Sequence, residues 1–329
     1  MLGKGVARTD RFVTGDPGIQ ISVREVRPAA PVRGPLLLVH GGGPGGCASF
    51  DLPVPDYSLA EDLAAAGHAV HVMDARGWGG STRPPALDQP AATNPPAVRS
   101  DEVVRDIAAV VSAIRGGDRG RRVALLGWAT GGHWCAMYTT RHPDAVGHLV
   151  ILNSLHGVDA PWTLRTAFEA PQRPGEFDRD AGAYGLRTAE SLLARWDQSI
   201  PVADKGEWRD PVVAEVYVRE ALASDPASRT HSPPAMRVPS GFQLESYEMS
   251  RGRRFWEASD IRVPTMVVRG ERDFWSRPED LEALGRELTR APRVRTVTIP
   301  GGTHYLFNDR PERGRRRFVE EVVAFLAHA

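Results

Sequence analysis

Residues 125–134 read LLGWATGGHW, a short apolar run followed by a glycine-rich turn and then by a helix-forming segment. When a strand ends in Gly-x-Ser-x-Gly and runs straight into a helix, its central residue lies on a sharp, strained turn above the sheet edge. The flanking glycines are needed because side chains there would collide with the neighbouring strand and helix. Gly127, Ala129 and Gly131 occupy the three positions of this pattern. The segment therefore predicts a nucleophile elbow that carries alanine at the nucleophile position.

The remaining chain alternates apolar runs with helix-periodic segments, which indicates repeated βα units around a mostly parallel sheet. This alternation stops in residues 155–258, which are rich in Trp, Phe, Arg and Pro and contain helix-like patches. We expect an α/β fold with one core domain, formed by residues 1–154 and 259–329, and an inserted helical cap over residues 155–258. The predicted strands are 18–27, 35–40, 68–74, 122–128, 148–153, 261–270 and 294–300, and the main predicted helices of the core are 57–67, 99–117, 130–141, 278–290 and 313–329.

Two glycine-rich segments follow other predicted strands and support the elbow prediction. VHGGGPGG (39–46) has more consecutive glycines than a tight turn needs. Glycines there let the backbone approach a ligand closely and present N–H donors to it. MDARGWGGS (73–81) follows the next strand, and its glycines permit the chain to cross closely over the same edge of the sheet. We expect Asp74 and Arg76 in this segment to be structural, through packing and a salt bridge.

An acid and a histidine follow the last two predicted strands. RGERDF (269–274) places Asp273 at a strand end, and PGGTHYLF (300–307) places His304 in a glycine-rich loop. Either residue alone is weak evidence, because an aspartate after a strand is often a cap and a loop histidine is often polar surface. The chain order of elbow position, acid and histidine, all at the carboxyl ends of strands, is typical of a catalytic triad.

Together these motifs resemble those of the α/β-hydrolase superfamily, and the HGGGPGG and D-x-R-G-x-G-x-S segments resemble its proline iminopeptidase-like branch. The resemblance covers the core, whereas the cap matches only in position and helical character. It implies Asp273 as the triad acid and His304 as the general base. It also implies an oxyanion hole made by the Thr130 N–H and a second N–H, and it leaves the choice between Gly42 and Gly43 open. No metal or organic cofactor is implied.

The departure from the family pattern is Ala129, because relatives carry a nucleophile there, usually serine and sometimes cysteine or aspartate. Alanine has no lone pair and cannot attack a carbonyl. The side chain of Thr130 should point away from the histidine. Cys135 lies about one turn into the helix, and its side chain is expected to pack against the protein core. We expect His133 to lie on the helix surface. None of these three side chains replaces the missing nucleophile.

Three interpretations of the alanine remain open. In the first, the natural protein carries serine, and alanine was introduced to trap a bound substrate. In the second, the protein is a natural non-hydrolytic enzyme that uses His304, Asp273 and the oxyanion hole for proton transfer or cyclisation. In the third, it is a ligand-binding pseudo-enzyme with a capped cavity. The first interpretation leads, since the acid, the base and the oxyanion loop are all retained.

Charge, cysteine content and hydropathy exclude several other classes of function. The 41 Lys and Arg residues balance 41 Asp and Glu residues, so no overall field attracts nucleic acid or an anionic membrane. Cys47 and Cys135 form neither a disulfide framework nor a metal-ligand pattern. No apolar stretch approaches the roughly 20 residues that span a membrane, and no signal peptide is evident. We expect a cytoplasmic protein whose partner is a small-molecule substrate, and its oligomeric state is left open.

The cap should determine the substrate. Relatives of the proline iminopeptidase type bind a free amine with cap acids, but no residue here is fixed to that role. Arg165, Arg187 and Glu169 are candidates for recognising a charged end of the substrate. Because Lys4 and Lys205 are the only lysines, the composition indicates a GC-rich bacterial genome, and a bulky natural product would fit the aromatic cap. The cap aromatics are Trp162, Phe168, Phe177, Tyr184, Trp196, Trp208, Tyr217, Phe242, Tyr247, Phe255 and Trp256, of which more than half should form the cap's own core.

Overall fold

The computed structural model describes residues 5–327, and strands and helices alternate through most of this region. The strands are β1 (Val6–Thr14), β2 (Gln20–Pro28), β3 (Leu36–Val39), β4 (Val70–Met73), β5 (Val123–Trp128), β6 (Val146–Leu152), β7 (Glu169–Ala170), β8 (Arg173–Phe177), β9 (Tyr184–Thr188), β10 (Ala235–Pro239), β11 (Thr265–Gly270) and β12 (Val294–Ile299). The helices are α1 (Gly46–Phe50), α2 (Leu59–Ala65), α3 (Ser100–Arg115), α4 (Thr130–Arg141), α5 (Ala189–Ser199), α6 (Pro211–Ala223), α7 (Gly241–Ser250), α8 (Pro278–Glu287) and α9 (Arg315–Leu326). None of the described helices is long and apolar enough to cross a membrane.

The central sheet has eight strands in the order β1-β2-β4-β3-β5-β6-β11-β12. Pairing is parallel from β4 to β12, and the pairs β1–β2 and β2–β4 are antiparallel. Every residue of β3, β4 and β5 is buried, which is expected where helices cover both faces of a parallel sheet. The prediction of a mostly parallel sheet flanked by helices is confirmed, and the carboxyl ends of β3, β5, β6 and β11 meet at one edge.

Helix α3 shows how the apolar pattern produces this layering. Its residues Val103, Ile107, Val110 and Ile114 are buried and recur at three- and four-residue intervals, so they form one stripe that faces the core. The helix ends where Gly116 adopts φ 58°, a left-handed conformation that favours glycine and closes many helices. The predicted helix 99–117 is therefore present with slightly shorter bounds.

The region between β6 and β11 is not purely helical, which corrects one part of the cap prediction. It contains α5, α6 and α7, as expected, but also the antiparallel pairs β7–β8 and β9–β10. Strand β10 is buried throughout. These strands have five residues or fewer, and β9 and β10 are separated by residues 189–234, so no local alternation or turn signal indicates their pairing.

A buried polar cluster joins α7 of this inserted region to the core helices α3 and α4. The Trp256 indole donates to His133 Nδ1 at 2.9 Å, so the His133 proton resides on Nε2, which lies 3.0 Å from Ser100 Oγ. The Trp134 indole donates to the same Ser100 oxygen at 3.1 Å. The Ser100 hydroxyl in turn donates to the Glu245 carboxylate. Every polar group of the cluster is thus hydrogen-bonded, and α7 is fixed to the core.

One expectation about this region was wrong. His133 is buried rather than on the helix surface, and its surroundings lower its pKa to about 3, mainly through burial. Because it stays neutral and donates to Ser100, it cannot act as a base toward that hydroxyl. The N-cap of α3 is Arg99, and the side chain of the next residue, Ser100, is engaged by Glu245.

We expect Glu245→Ala to lower the free energy of unfolding by about 1–3 kcal/mol, because it leaves the buried Ser100 N–H and hydroxyl without their acceptor. The matched control is Glu215→Ala, which removes an exposed glutamate from α6. Chemical denaturation of both variants and the parent measures the difference. Equal stability of the two variants would contradict a structural role for this cluster.

Candidate active site

The turn between β5 and α4 has the strained geometry that the sequence pattern predicts. Ala129 adopts φ 54° and ψ −120°, a conformation that L-residues rarely adopt and that is found mainly at functional sites. Its N–H donates to the Leu152 carbonyl at 2.8 Å, and its carbonyl accepts from the Gly132 N–H at 3.0 Å. The turn is therefore held by backbone hydrogen bonds that do not depend on the Ala129 side chain.

The glycines around this turn are required by close backbone approach. A Cβ on Gly127 would lie 2.1 Å from the Gly131 carbonyl oxygen, and a Cβ on Gly131 would lie 2.3 Å from the Val39 carbonyl oxygen. Both contacts involve backbone atoms that cannot move aside. The elbow is thus pressed against the end of β3, which brings Ala129 next to the glycine-rich loop that follows that strand.

Asp273 and His304 meet beside the elbow. His304 Nδ1 lies 2.6 Å from Asp273 Oδ1, and both side chains are buried. The Asp273 carboxylate also accepts from the Trp275 N–H at 3.0 Å and from the Ser276 N–H at 2.8 Å. Because the carboxylate requires a donor at Nδ1, the neutral imidazole keeps its Nε2 as an acceptor. That Nε2 has no hydrogen-bond partner among the described residues, and His304 and Ala129 line the same cavity.

The position of His304 is fixed by residues that sequence reasoning missed. Its carbonyl accepts from the Trp128 indole and from the Asn153 amide, both at 3.0 Å. The rings of Phe274 and Trp128 lie 4.6 Å and 4.9 Å from the imidazole, centroid to centroid. Trp128 occupies a variable position of the elbow pattern, so the motif gives no signal for its role. Asn153, directly after β6, has φ 50°, which only the structure reveals.

The orientation of the HGGG loop distinguishes its glycines. The Ala75 N–H donates to His40 Nε2 at 3.0 Å, so His40 Nδ1 carries the proton and donates to the Gly41 carbonyl at 2.6 Å. In a trans peptide the carbonyl and the following N–H point in opposite directions. The Gly42 N–H is therefore directed away from His40. Among the described residues it has no acceptor, and Gly42 lines the cavity. Burial lowers the pKa of His40, which keeps the ring neutral.

Asp74 and Arg76 support this loop, as predicted. Asp74 Oδ1 accepts from the Gly46 N–H at 2.6 Å, and Oδ2 accepts from the Gly80 N–H at 3.0 Å, which ties the two glycine-rich segments together. Arg76 forms a buried ion pair with Asp106, with Nη2 2.6 Å from Oδ1. These contacts stabilise the loops without reaching the cavity.

Thr130 begins α4, and its N–H donates no hydrogen bond to any described residue, so it is available to bind an anion at the helix N-terminus. Its hydroxyl is buried without a partner, and Thr130 does not line the cavity. Cys135 is fully buried in α4, as predicted. Neither side chain is placed to act as a substitute nucleophile. No group of three His, Cys, Asp or Glu residues within 5–327 is placed to hold a metal ion.

The cavity above Ala129 has a volume of about 110 Å³. Of the eleven cap aromatics named above, Phe168, Tyr217 and Phe242 line it, and the other eight do not. Arg187 lines it, whereas Arg165 is engaged by the carbonyls of Ser250 and Ala160. The remaining lining residues are Gly42, Gly43, Trp128, Leu164, Ser191, Leu192, Arg195, Gln243, Phe274, Trp275, His304 and Tyr305.

A second buried carboxylate lies under the His304 loop. Asp309 accepts from the Thr303 N–H and hydroxyl, each at 2.8 Å, and from the indole of Trp196 on α5 at 2.9 Å. No cation within residues 5–327 pairs with it. Burial raises the pKa of Asp309 to about 7, and the three donors only partly oppose that shift. Asp309 thus joins the histidine loop to the inserted region through a group that titrates near neutral pH.

Comparison with known protein families and curated proteins relates this chain to one family. The family model described as alpha/beta hydrolase fold matches residues 34–311. Over 311 residues the chain is 30% identical to the (lyso)-N-acylphosphatidylethanolamine lipase of Bos taurus, covering 87% of this chain and 78% of the lipase.

Solved structures show the same fold over almost the whole chain. A meta-cleavage product hydrolase from Pseudomonas fluorescens IP01, a serine-to-alanine mutant complexed with acetates, superposes with a TM-score of 0.63 at 16% identity and covers 96% of this chain and 97% of that one. Proline iminopeptidase from Mycobacterium smegmatis gives 0.60 at 20% identity, covering 97% and 98%. At these identities the likeness concerns the fold alone.

We expect stability to fall with rising pH through Asp309. Its pKa rises from 3.8 to about 7 on folding, so between these values the native protein holds a proton that the unfolded chain releases. The contribution is fully present below about pH 4 and is lost as pH rises through about 7. In Asp309→Asn the difference in unfolding free energy between pH 5 and pH 8 should shrink by an amount on the order of 1 kcal/mol or more.

The check is chemical denaturation at both pH values, with the exposed Asp144→Asn as control. The Asp309→Asn variant should also be less stable than the parent at pH 5, because in either orientation the new amide N–H₂ would face an N–H donor, that of Thr303 or that of the Trp196 indole. An unchanged pH dependence in Asp309→Asn would mean that Asp309 is ionised throughout this range.

Proposed function

We propose that this chain, which belongs to the α/β hydrolase fold family, carries a serine-hydrolase active site in which Ala129 occupies the nucleophile position. The natural activity would be hydrolysis of an ester, amide or thioester, and the chain with alanine would bind its substrate without cleaving it. Asp273 is the proposed acid and His304 the proposed base. No cofactor is required by this chemistry.

One observation carries the proposal, namely that a strained elbow places an alanine beside an intact base. Holding a non-glycine residue at φ 54° costs on the order of 1–3 kcal/mol. A turn that served only to join β5 to α4 would gain nothing from that strain. The cost is understandable if the turn was shaped to present a reactive side chain to His304 Nε2. The bovine lipase relative supports chemistry on acyl groups by its name.

With serine at position 129, each step follows from groups already in place. His304 Nε2 would remove the hydroxyl proton while Asp273 holds the imidazole in the required tautomer. The alkoxide would attack the substrate carbonyl, and the N–H groups of Thr130 and Gly42 would bind the resulting oxyanion. His304 would then protonate the leaving group and activate water to release the acid. The direction of its N–H favours Gly42 over Gly43 for the oxyanion hole.

The cavity lining favours a substrate with an apolar or aromatic part. Phe168, Phe242 and Trp275 lie in it together with Leu164 and Leu192. Among the described residues no Asp or Glu lines the cavity. This lining argues against recognition of a free amine, and therefore against an aminopeptidase like the proline iminopeptidases.

A second candidate function is proton transfer or cyclisation by the chain as it stands. It is favoured by the free Nε2 of His304 in a mainly apolar cavity, an arrangement that needs no nucleophile. A third, simple ligand binding, uses the same cavity without turnover. The three candidates predict different results. A hydrolase becomes active when serine is placed at position 129, and a proton-transfer enzyme is active as it stands and depends on His304. A binding protein shows no catalysis in either form.

We expect Ala129→Ser to react with a fluorophosphonate probe and to hydrolyse members of a panel of short and aromatic acyl esters. Loss of a triad nucleophile typically lowers kcat on the order of 10⁶-fold, so the unaltered chain should be inactive by comparison. Adding His304→Gln or Asp273→Asn to the serine variant should remove most of the gain. Gel labelling and initial rates measure these effects.

The matched control is Ala194→Ser, which introduces the same hydroxyl at an exposed position of α5. It should neither label nor turn over. If Ala129→Ser is as inert as this control, the serine-hydrolase assignment is wrong. Turnover by the unaltered chain that disappears in His304→Gln would establish the proton-transfer alternative instead.

A further inference from the structure

The cavity contains a positively charged side chain that the reaction proposed above does not use. Arg187 lies on β9, where it pairs with Met236 of β10. Because alternate residues of a strand face opposite sides, Arg187 faces inward while its neighbour Leu186, 44% exposed, faces solvent. Arg187 therefore lines the cavity together with Ala129 and His304.

No negative charge of the described residues compensates Arg187. Its one side-chain hydrogen bond runs from Nη1 to the carbonyl of its own neighbour Leu186, at 3.0 Å. Arg195, an exposed residue of α5, lines the same cavity and has no ion pair with a described carboxylate. Burial, and then the charge of Arg195, lower the pKa of Arg187. A half-buried guanidinium beside a second cation, with no carboxylate partner, is an unfavourable arrangement in the free protein.

Arg187, which is half-buried, differs in this respect from the fully buried arginines of the fold. Arg269, for example, donates to the backbone carbonyls of Ser276, Glu271 and Asp273. The remaining buried arginines pair with a carboxylate, in the pairs Arg76–Asp106, Arg237–Asp225, Arg277–Asp280 and Arg315–Asp62. The fold thus provides partners where an arginine is structural, and it provides none at the cavity.

A neutral donor accompanies this cation. The hydroxyl of Tyr217, a fully buried residue of α6 that lines the cavity, makes no hydrogen bond of normal geometry among the described residues, although the Tyr305 hydroxyl lies close to it. A buried hydroxyl without a well-formed hydrogen bond costs free energy. Arg187 presents its donors to a cavity that no described carboxylate lines, and Tyr217 belongs to the same lining.

Building on the hydrolase assignment, we propose that the substrate carries a carboxylate in addition to its reacting carbonyl, and that Arg187 binds this carboxylate with Tyr217 and Arg195 nearby. A guanidinium offers two parallel N–H donors that match the two carboxylate oxygens. The same cavity must also hold the reacting carbonyl, and the proposal commits to a carboxylate, with phosphate as the alternative that the competition experiment below tests. The aromatic and aliphatic lining would contact the carbon chain between the two polar ends.

Binding to the unaltered chain tests this subsite without any need for turnover. The probes are phenyl half-esters of malonate, succinate, glutarate and adipate, each paired with the ester in which a primary amide replaces the free carboxylate. The amide keeps the shape and removes the charge. Calorimetry should show at least one half-ester that binds about 10- to 100-fold more tightly than its amide, as expected for a charge-assisted hydrogen-bonded pair.

Arg187→Met should abolish this preference, while binding of the amide changes less than about threefold. Arg187→Lys should retain part of the preference, because lysine keeps the positive charge but lacks the two parallel N–H donors of arginine. The matched control Arg219→Met removes an exposed arginine of α6 and should leave the preference intact. Inorganic phosphate, as a competitor, should displace the half-ester only weakly. Stronger competition by phosphate than by free glutarate would overturn the choice of a carboxylate.

A purely structural role for Arg187 predicts a different result. Removal of an uncompensated cation should leave the melting temperature of Arg187→Met at or above that of Arg219→Met. If Arg187→Met instead melts lower and weakens the half-ester and its amide equally, Arg187 is structural and the proposed subsite is wrong. The subsite is equally wrong if no half-ester binds more tightly than its amide.

The Ala129→Ser variant separates this proposal from the hydrolase assignment. If it hydrolyses half-esters with a higher kcat/KM than the amide esters, and Arg187→Met removes that difference, both proposals hold. If the unaltered chain shows the charge preference but the serine variant is inert, the subsite stands and the hydrolase assignment fails. If the serine variant hydrolyses both series equally, the hydrolase assignment stands and the subsite fails.

Discussion

The close approach of the elbow to the end of β3 determines the geometry of the whole site. Only glycine fits at positions 127 and 131, because backbone oxygens would lie 2.1 Å and 2.3 Å from any Cβ there. This contact turns the chain sharply enough to give Ala129 its positive φ and to point the first N–H of α4 outward. It also sets the HGGG loop beside the elbow, since a Cβ on Gly41 would lie 2.9 Å from the Ala129 Cβ. The proposed nucleophile position and the proposed oxyanion loop are therefore neighbours through backbone contacts.

The inserted region is attached to this site by polar contacts as well as by apolar packing. Glu245 binds α7 to the N-terminus of α3, and the Trp162 indole donates to the carbonyl of Trp275 at 2.8 Å, close to Asp273. Trp196 on α5 reaches Asp309 below the histidine loop. The last two contacts link the cap to the segments that carry Asp273 and His304. A movement of these parts of the cap would therefore displace the loops that position the proposed acid and base.

The core of the fold and the order of the proposed triad could be predicted because their signals are local. Buried strands appear as apolar runs, and the elbow, Asp273 and His304 all follow such runs at the carboxyl end. What could not be predicted depends on contacts between distant residues. The pairing of β9 with β10 joins segments separated by residues 189–234, and His133 is buried only because Ser100 and Trp256 surround it.

For two choices that the sequence leaves open, the proposed answer rests on hydrogen bonds of the same non-local kind. The preference for Gly42 over Gly43 follows from the His40 bond to the Gly41 carbonyl, and that bond requires Ala75 to fix the tautomer. Likewise Arg165 and Arg187 look equivalent in the sequence, but Arg165 is engaged by backbone carbonyls while Arg187 faces the cavity. Composition and spacing carry no information about such partners.

The charge distribution around the cavity also bears on the reaction. With serine at position 129, the oxyanion would form on the substrate carbonyl inside the cavity. Nearby charges act strongly there, because the surrounding dielectric constant is lower than that of water. A substrate carboxylate alone would oppose that charge. Arg187 and Arg195 provide two positive charges against the substrate carboxylate and Asp273, and the imidazolium formed at His304 would balance the oxyanion. An anionic substrate and a negatively charged intermediate would therefore be compatible in the proposed site, and two arginines would serve that balance where one would not.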